Sequence, residues 1–594
     1  MRNDHGAWTG HLSDSALSTA TALLTFVLAD RYTGSDHDTA IQCGVQWLVR
    51  YQNADGGWGD TVSSQSNLST TCLVWATLGA TNNAVELGGE ACVAAEHWLR
   101  RHAGGLGPST LGEAVLRRYG KDRTFSIPIL THCALSGRFG AGREAWRCVI
   151  PLPFELAVCP HSWFAALKLP VVSYALPALI AMGYARFMNA PPSNPIAFAT
   201  RQLVGPRVLR VLETLQPTNG GFLEATPLTS FVTMSLIGSG QCEHPVTSRG
   251  LAFLKASQRN SGAWPIDTNL ATWTTTLAIN ALPATALKAD EKNRLRSWLL
   301  NQQYRKVHPY TQAAPGGWAW TDLPGGVPDA DDTAGALVAL HRLSSTPSAP
   351  DTELIESARL GVMWLMSLQN SDGGLPTFCR GWGTLPFDQS STDITAHGLR
   401  AWTIWRSLMP PPLQHKLGIA SRRALHFLES SQDRPGSWTP LWFGNERHVQ
   451  EQNPLYGTTR VLVALAELDA STHPTLAPMR GRALRWLVEI QGAEGGFGAA
   501  SGLSPSVEET ALALEALSKN RGAADRGSEL DEAIHRSTEL ASDWLVERVE
   551  TGEWKQASPI GFYFARLWYF ENLYPMLFTV GALRSCVESS RTQA

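Results

Sequence analysis

Trp47-Leu48-Val49-Arg50-Tyr51-Gln52-Asn53-Ala54-Asp55-Gly56-Gly57-Trp58 is the stretch from which the architecture can be read. An aromatic-Leu pair ends a helix, Gln follows, then Gly, then an aromatic ring. The pattern QxxxGxW returns at Gln258…Gly262-Ala263-Trp264, Gln312…Gly316-Gly317-Trp318 and Gln432…Gly436-Ser437-Trp438. Variants close on other apolar residues at Gln216…Phe222, Gln369…Leu375 and Gln491…Phe497, and a degenerate copy is expected at Gly552-Glu553-Trp554. The pairs Trp47-Leu48, Phe253-Leu254, Trp364-Leu365, Phe427-Leu428 and Trp486-Leu487 each stand five and four residues before the Gln. From Gln216 onward the copies recur roughly every 42 to 63 residues, the length of a helix–turn–helix unit stacked on its neighbours. Gly is expected to stop the helix, because it enters left-handed dihedrals without strain. Gln is expected to bond orphan carbonyls or amides of a neighbouring helix end, with the ring stacked over it. The motif is structural glue, and it predicts an all-α protein of paired helices closing into toroids.

Composition sets the outer bounds. A chain of 594 residues implies two large domains. A hydrophobic fraction of 44% argues against disorder, and a net charge of −3 with acids and bases interspersed argues against a nucleic-acid partner. Nine cysteines without CxxC pairs and no signal peptide at the start lead to the expectation of a reduced, cytoplasmic setting. No apolar run reaches the roughly 18 residues of a membrane span, and the greasiest stretch, 169–183, is expected as a buried helix. The 22 tryptophans must fill a large core or line something apolar.

Chemistry enters at Pro328-Asp329-Ala330-Asp331-Asp332-Thr333-Ala334, directly before the apolar run Gly335 to Leu340. Acids at a helix N-terminus are ordinary. Three facing a core cannot all ionise cheaply, so at least one should keep its proton near neutral pH and serve as a donor. Related openings at Asp393-Ile394-Thr395-Ala396 and Glu508-Glu509-Thr510-Ala511 make acids there partly a helix-start habit. Asp329, the third acid of the first copy, and His397, inside the helix of the second, are the departures that carry the functional reading.

DxDDTA with these repeats resembles the squalene–hopene cyclase family, the DxDD-type (class II) terpene cyclases, over nearly the whole chain. Gly317-Trp318-Ala319-Trp320…Pro328-Asp329 matches the approach to the acid motif, and Asp393-Ile394-Thr395-Ala396-His397 resembles the family's DxTAH. Trp442…Tyr456-Gly457-Thr458 resembles its W…YGT stretch, with residues 443–455 reading as an insertion, and Tyr563-Phe564…Tyr574-Pro575 resembles its C-terminal segment. The resemblance implies two α/α barrels, one formed by 1–34 plus 281–594 and bearing the acids, the other, 35–280, inserted into it. It implies cyclisation of squalene or a similar linear polyprene, started by protonating a terminal alkene, with no metal and no cofactor. Asp331 would be the donor, His397 its hydrogen-bond partner, and Asp329, Asp332 and Asp393 would balance charge and orient the pair. Trp273, Trp320, Phe378, Trp442, Tyr456, Tyr563 and Phe570 match the family's cation-stabilising lining. Peripheral, monotopic contact with the inner face of the cell membrane is implied, with candidates near 169–215, and a homodimer is compatible.

Departures bear on substrate and product. The helix opening Ser13 to Thr21 lacks the glutamate that helps place the final water in squalene–hopene cyclases. Leu567 replaces an aromatic residue, Phe378 stands where tyrosine is usual, and Cys379 to Gly383 is unlike the familiar enzymes. One rival is a copalyl-type cyclase acting on geranylgeranyl diphosphate, with Arg380 or the basic set near 117–123 holding the diphosphate. A protein prenyltransferase β subunit needs an Asp-x-Cys zinc pair, and Asp329-Ala330-Asp331 has no such cysteine. A helical-repeat binding scaffold would leave the acid cluster without a purpose.

Overall fold

The computed structural model describes residues 2–81, 88–120, 124–159, 176–283, 285–309, 311–344, 351–378, 388–469, 473–562 and 567–593. It is all-α, with two short antiparallel strand pairs, Asp14–Ser15 with Trp264–Pro265 and Ile560–Phe562 with Leu567–Tyr569.

Helices sort into inner and outer sets by burial. The inner helix Ala16–Thr33 buries every residue from Ala16 to Ala29, whereas the outer helix Asp38–Arg50 buries only Gly44, Val45, Trp47 and Leu48. A helix apolar or small all round belongs inside, and an amphipathic one covers it. Five inner helices, Ala16–Thr33, Leu68–Ala80, Ser126–Leu135, Leu176–Asn189 and Thr226–Gly238, each pack on the next, and the last returns to the first. Six others do the same in the second ring: Ala271–Ala281, Ala330–Leu343, Thr392–Arg406, Pro454–Ala466, Val507–Lys519 and Tyr574–Gln593. The division expected at 34/35 and 280/281 shifts accordingly. Helix Ala16–Thr33 walls the first ring, and helix Ala271–Ala281 already walls the acid-bearing ring. The cause is a lock across the chain: the backbone N–H of Trp264 donates to Thr19 Oγ1 at 3.0 Å, so the motif at 258–264 closes the first ring onto its own first helix. Only the extended segment before that helix lies on the second ring, where Trp8 N–H donates to Thr275 Oγ1 and His11 N–H to Glu571.

The glue works differently from the expectation. The Gln side chain donates both to the carbonyl of its own motif glycine and to a carbonyl within the next outer helix, as Gln52 does to Gly56 and Ala91, and Gln432 to Gly436 and Met479. The orphan carbonyl at the helix end is taken by the tryptophan instead. Trp58, Trp264, Trp318 and Trp438 donate Nε1–H to Leu48, Leu254, Leu299 and Leu428 at 2.7–2.8 Å. The glycine lies beyond the helix stop, where its positive φ lets the turn press on the outer helix. A Cβ on Gly220 or Gly373 would stand 2.3 Å from the carbonyl oxygen of Arg249 or Arg423. Two copies need correction. Gln312 points away and donates to Pro309, while Gln303 makes the motif bonds to Gly316 and Ser357. Gly552-Glu553-Trp554 has no Gln, and there Gly552 is a true left-handed helix cap.

A final contact ties the chemistry to the scaffold. The backbone N–H of each motif aromatic or its substitute donates to a threonine of an inner helix: Trp58 to Thr71, Phe222 to Thr229, Trp318 to Thr333, Leu375 to Thr395, Trp438 to Thr458 and Phe497 to Thr510. The two rings are joined by several bonds. Asp60 accepts from Trp568 N–H at 2.8 Å, Glu224 from Gly325 N–H at 2.7 Å, and Arg118 pairs with Glu451 at 2.9 Å. Glu451 and Glu446, which accepts from Gln65 N–H, both belong to segment 443–455, so the stretch that reads as an insertion straps one ring to the other.

Candidate active site

The threonine lock fixes what each inner helix presents at one end of the second ring. Two residues before the threonine stand Asp331, Asp393, Tyr456 and Glu508 on four successive inner helices. The same offset brings side chains from different helices to one level, so separate sequence motifs become one site.

Asp329 caps the acid helix, its Oδ1 accepting the backbone N–H of Asp332 at 2.8 Å. Burial pushes the Asp329 carboxyl up to about 7, against its hydrogen bonds to Asp332 and with the charge of Asp331 adding to the rise. Asp332 is driven well above the carboxylate range, first by burial and then by the charge of Asp329, so it keeps its proton. Asp393, buried one helix along, is pushed to about 6 by burial and by the charge of Asp331, and the Ser391 hydroxyl bonds it. His397 Nδ1 lies 2.5 Å from Asp331 Oδ1. Asp331 and His397 keep 19% and 13% of their side-chain surface accessible among neighbours that keep almost none, so the pair faces a hollow in the ring. The arrangement provides a carboxyl group aimed inward, a histidine that can carry the compensating charge, and buried acids that resist further ionisation.

One of the expected aromatic rings meets the pair, and others pack on one another. Trp273 meets His397 edge-on, with centroids 6.5 Å apart. Trp320 packs edge-to-face on Phe378 at 6.1 Å, and Phe378 on Trp442 at 5.5 Å, giving a continuous wall. Tyr456 is buried in the first turn of its helix with Phe443 at 4.3 Å. Phe570 follows strand Leu567–Tyr569; its backbone N–H donates to the Ser13 hydroxyl and its carbonyl accepts the Ser13 N–H, its ring only partly buried. Tyr563 lies outside the described residues.

Sequence reading missed a group behind Trp273. Its Nε1–H donates to the Tyr574 hydroxyl at 2.9 Å, which lies 3.1 Å from the Tyr569 hydroxyl. Both phenols are buried in a segment already matched to the acid motif's family, and the signal was two tyrosines five apart. Phe443, packed on Tyr456, was also missed.

Residues 270–587 match the family described as squalene-hopene cyclase C-terminal domain, and residues 5–115 match the prenyltransferase alpha-alpha toroid domain. Among curated proteins, the chain is similar to enfumafungin synthase of Hormonema carpetanum, 29% identical over 340 residues, covering 52% of this chain and 24% of that one. It is similar to squalene–hopene cyclase of Zymomonas mobilis, 23% identical over 658 residues, covering 97% and 92%. The chain spans 24%, 25% and 40% of the first three curated relatives it matches. Among solved structures it is similar to the type II terpene cyclase MstE from Scytonema, with a TM-score of 0.39, 16% identity, and 54% and 89% coverage.

Proposed function

Because the chain belongs to the squalene–hopene cyclase family, we propose that it is a class II terpene cyclase acting on squalene or a similar linear polyprene. The observation that carries the reading is the Asp331–His397 contact at 2.5 Å, set among Asp329, Asp332 and Asp393 and walled by aromatic rings.

An alkene is a very weak base, so its donor must be strongly acidic and held against one terminal double bond. Asp331 gives its proton to the terminal carbon, a C–H bond forms, and the neighbouring carbon becomes a tertiary cation. The carboxylate left behind is balanced by His397. Successive double bonds of the chain attack the cation and close rings, while Trp273, Trp320, Phe378, Trp442 and Tyr456 stabilise the travelling charge through their π faces. Loss of a proton or capture of water ends the cascade, and Asp331 takes up a proton again.

The diphosphate alternative has less in its favour. Arg118 of the basic set near 117–123 is engaged by Glu451, and Arg380 lies outside the described residues. A water-insoluble substrate would be drawn from a lipid surface. Met188, Ile196, Phe198 and Leu203 are exposed on helices Leu176–Asn189 and Pro195–Leu215 and suit peripheral contact at the inner face of the cell membrane. Among the described residues no helix is long and apolar enough to cross a membrane. The contact is tested by sedimentation with liposomes in the absence of detergent.

The deciding experiment incubates purified protein with squalene, geranylgeraniol and geranylgeranyl diphosphate and reads products by mass spectrometry. A polycyclic hydrocarbon or alcohol from squalene is expected. Turnover confined to the diphosphate would overturn the substrate assignment.

A further inference from the structure

Loop 321–328 connects two parts of the site, with Trp320 before it and Asp329 after it. The second ring closes its base. Asp329 N–H donates to the Trp318 carbonyl at 3.0 Å, and the Trp320 carbonyl accepts Thr272 N–H and Trp273 N–H at 3.0 and 3.1 Å. Further along, the Gly326 carbonyl accepts the Tyr304 hydroxyl at 2.7 Å and His308 Nε2–H at 3.1 Å. The adjacent Gly325 is held from the first ring. Its N–H donates to Glu224 Oε1 at 2.7 Å, and a Cβ there would stand 2.6 Å from that oxygen and 2.6 Å from the Gly221 carbonyl oxygen.

Glu224 reaches this contact from a strained turn. It is fully buried, and Leu223 and Glu224 take left-handed φ of 56° and 55°, where a side chain is disfavoured and glycine is not. Its carboxyl group is satisfied by neutral donors: Asn219 Nδ2 at 2.7 Å and Gly325 N–H on Oε1, and the Thr268 hydroxyl at 3.2 Å on Oε2. Glycine would suit the turn better, so the retained strain points to the side chain. The first motif of the same ring repeats the device. Asp60 stands two residues past Trp58, as Glu224 stands two past Phe222, and it accepts Trp568 N–H at 2.8 Å. Next to Trp568 is Tyr569, whose hydroxyl lies 3.1 Å from that of Tyr574, the acceptor of Trp273 Nε1–H. Twice, a buried carboxyl group of the first ring takes a backbone N–H of the second beside an aromatic residue of the site.

We propose that Glu224 is a positioning residue, a clamp from the first ring that fixes loop 321–328 and, through it, the ring of Trp320. This rests on the class II cyclase reading. Trp320 packs edge-to-face on Phe378 at 6.1 Å, so a loop that shifts carries the indole away from that partner. The donor is held elsewhere, by His397 and by the bond from Asp329 to Trp318 at the base of the loop. Loss of the clamp therefore acts on later ring closures rather than on the first proton transfer. A cation no longer faced by Trp320 releases a proton or captures water early, giving a partly cyclised hydrocarbon or alcohol.

The test compares Glu224→Gly, Glu224→Gln, Gly325→Ala and the double variant Glu224→Gly/Gly325→Ala, each given the polyprene that the wild type cyclises. Products are resolved by mass spectrometry, and thermal unfolding checks the fold. Glu224→Gly relieves the turn and should keep its thermal midpoint within a few degrees of wild type. Its yield of fully cyclised product should fall about tenfold, within the cost of a displaced group. Substrate consumption should fall by a smaller factor, with partly cyclised products making up the difference. Glu224→Gln keeps an oxygen for Gly325 N–H and should restore most of the wild-type product. Gly325→Ala attacks the same contact from the second ring and should repeat the pattern, and the double variant should be no worse than the poorer single one. A wild-type product spectrum in Glu224→Gly, Glu224→Gln as impaired as Glu224→Gly, or additive losses in the double variant would overturn the proposal. Hydrogen exchange over residues 321–328 needs no turnover, and it should be faster in Glu224→Gly and close to wild type in Glu224→Gln. Unchanged exchange in Glu224→Gly would show that Glu224 does not hold the loop. Faster exchange in a protein whose wild type cyclises none of the polyprenes would defeat the functional reading and leave the clamp standing.

Discussion

The two rings use one lock and present different side chains through it. In the first ring the residues two before the bonded threonine are Leu17, Ser69 and Pro227, ahead of Thr19, Thr71 and Thr229. In the second they are Asp331, Asp393, Tyr456 and Glu508, ahead of Thr333, Thr395, Thr458 and Thr510. The scaffold is indifferent to what stands at that offset. Ser69 bonds the Tyr119 hydroxyl at 2.7 Å and packs as an ordinary core residue, whereas Asp331 meets a histidine. Position is supplied by the repeat and chemistry by substitution at one point of it, which separates residues that can be changed without unfolding from those that cannot.

The sharpest break in that comparison is Asp331→Asn. It keeps shape and an oxygen acceptor and removes the donor. Turnover should fall by at least about 10³-fold, at the upper range of a general acid's contribution. The thermal midpoint should stay within a few degrees of wild type. Product from the variant near the wild-type rate would refute the donor assignment, and loss of the folded state would erase the distinction between lock and chemistry.

The lock itself should be costly in both rings alike. Gly220 in the first and Gly373 in the second have φ of 89° and 94°, and a Cβ at either would stand 2.3 Å from a backbone oxygen. Gly220→Ala and Gly373→Ala should each destabilise by about 3 kcal/mol, from left-handed strain plus a backbone clash. Urea unfolding of the two variants gives the check. Equal losses support a common scaffold, whereas a loss confined to the second ring would mean that the first merely covers it.

These contrasts also show what the chain reveals before folding. The all-α toroids were legible because a pattern repeated at a fixed offset must be satisfied by a repeated structure. Asp329 and His397 stand out in the sequence because they depart from the repeat, and they direct attention to Asp331 at its ordinary acid position. Gln303 was not, although Trp298-Leu299 stands five and four residues before it like the other pairs, because a longer loop separates it from Gly316. The ring boundary was misplaced because Thr19 and Trp264 meet across 245 residues, a closure that no local pattern encodes. Tyr574 and Tyr569 were hidden for another reason: each looks like ordinary helix or core composition until the ring brings it behind Trp273.

The finest test asks whether burial alone makes an acid a donor. Glu508 stands at the offset of Asp331, and burial pushes it to about 7 from its ordinary 4.5, against the hydrogen bond of Ser558 N–H to its Oε1. Its companion Glu509 accepts from Asn445, Asn453 and Ser506 and anchors the strap. Neither meets a histidine as Asp331 does. A raised carboxyl binds its proton more tightly folded than unfolded, so the linkage has a definite sign. Between about pH 4.5 and 7 the unfolded chain releases the proton first, and stability falls as pH rises. Glu508→Gln keeps an oxygen for Ser558 and removes the titration. It should match wild type near pH 4.5 and exceed it above pH 7 by about 1 to 2 kcal/mol, less than the full cost of moving a proton equilibrium that far. Thermal unfolding over pH measures this, and turnover in the same variant should stay close to wild type. A variant with equal stability at both ends would show that Glu508 is not held protonated by burial. A variant that lost turnover without losing stability would place Glu508 in the chemistry, and the contrast between its offset and that of Asp331 would disappear.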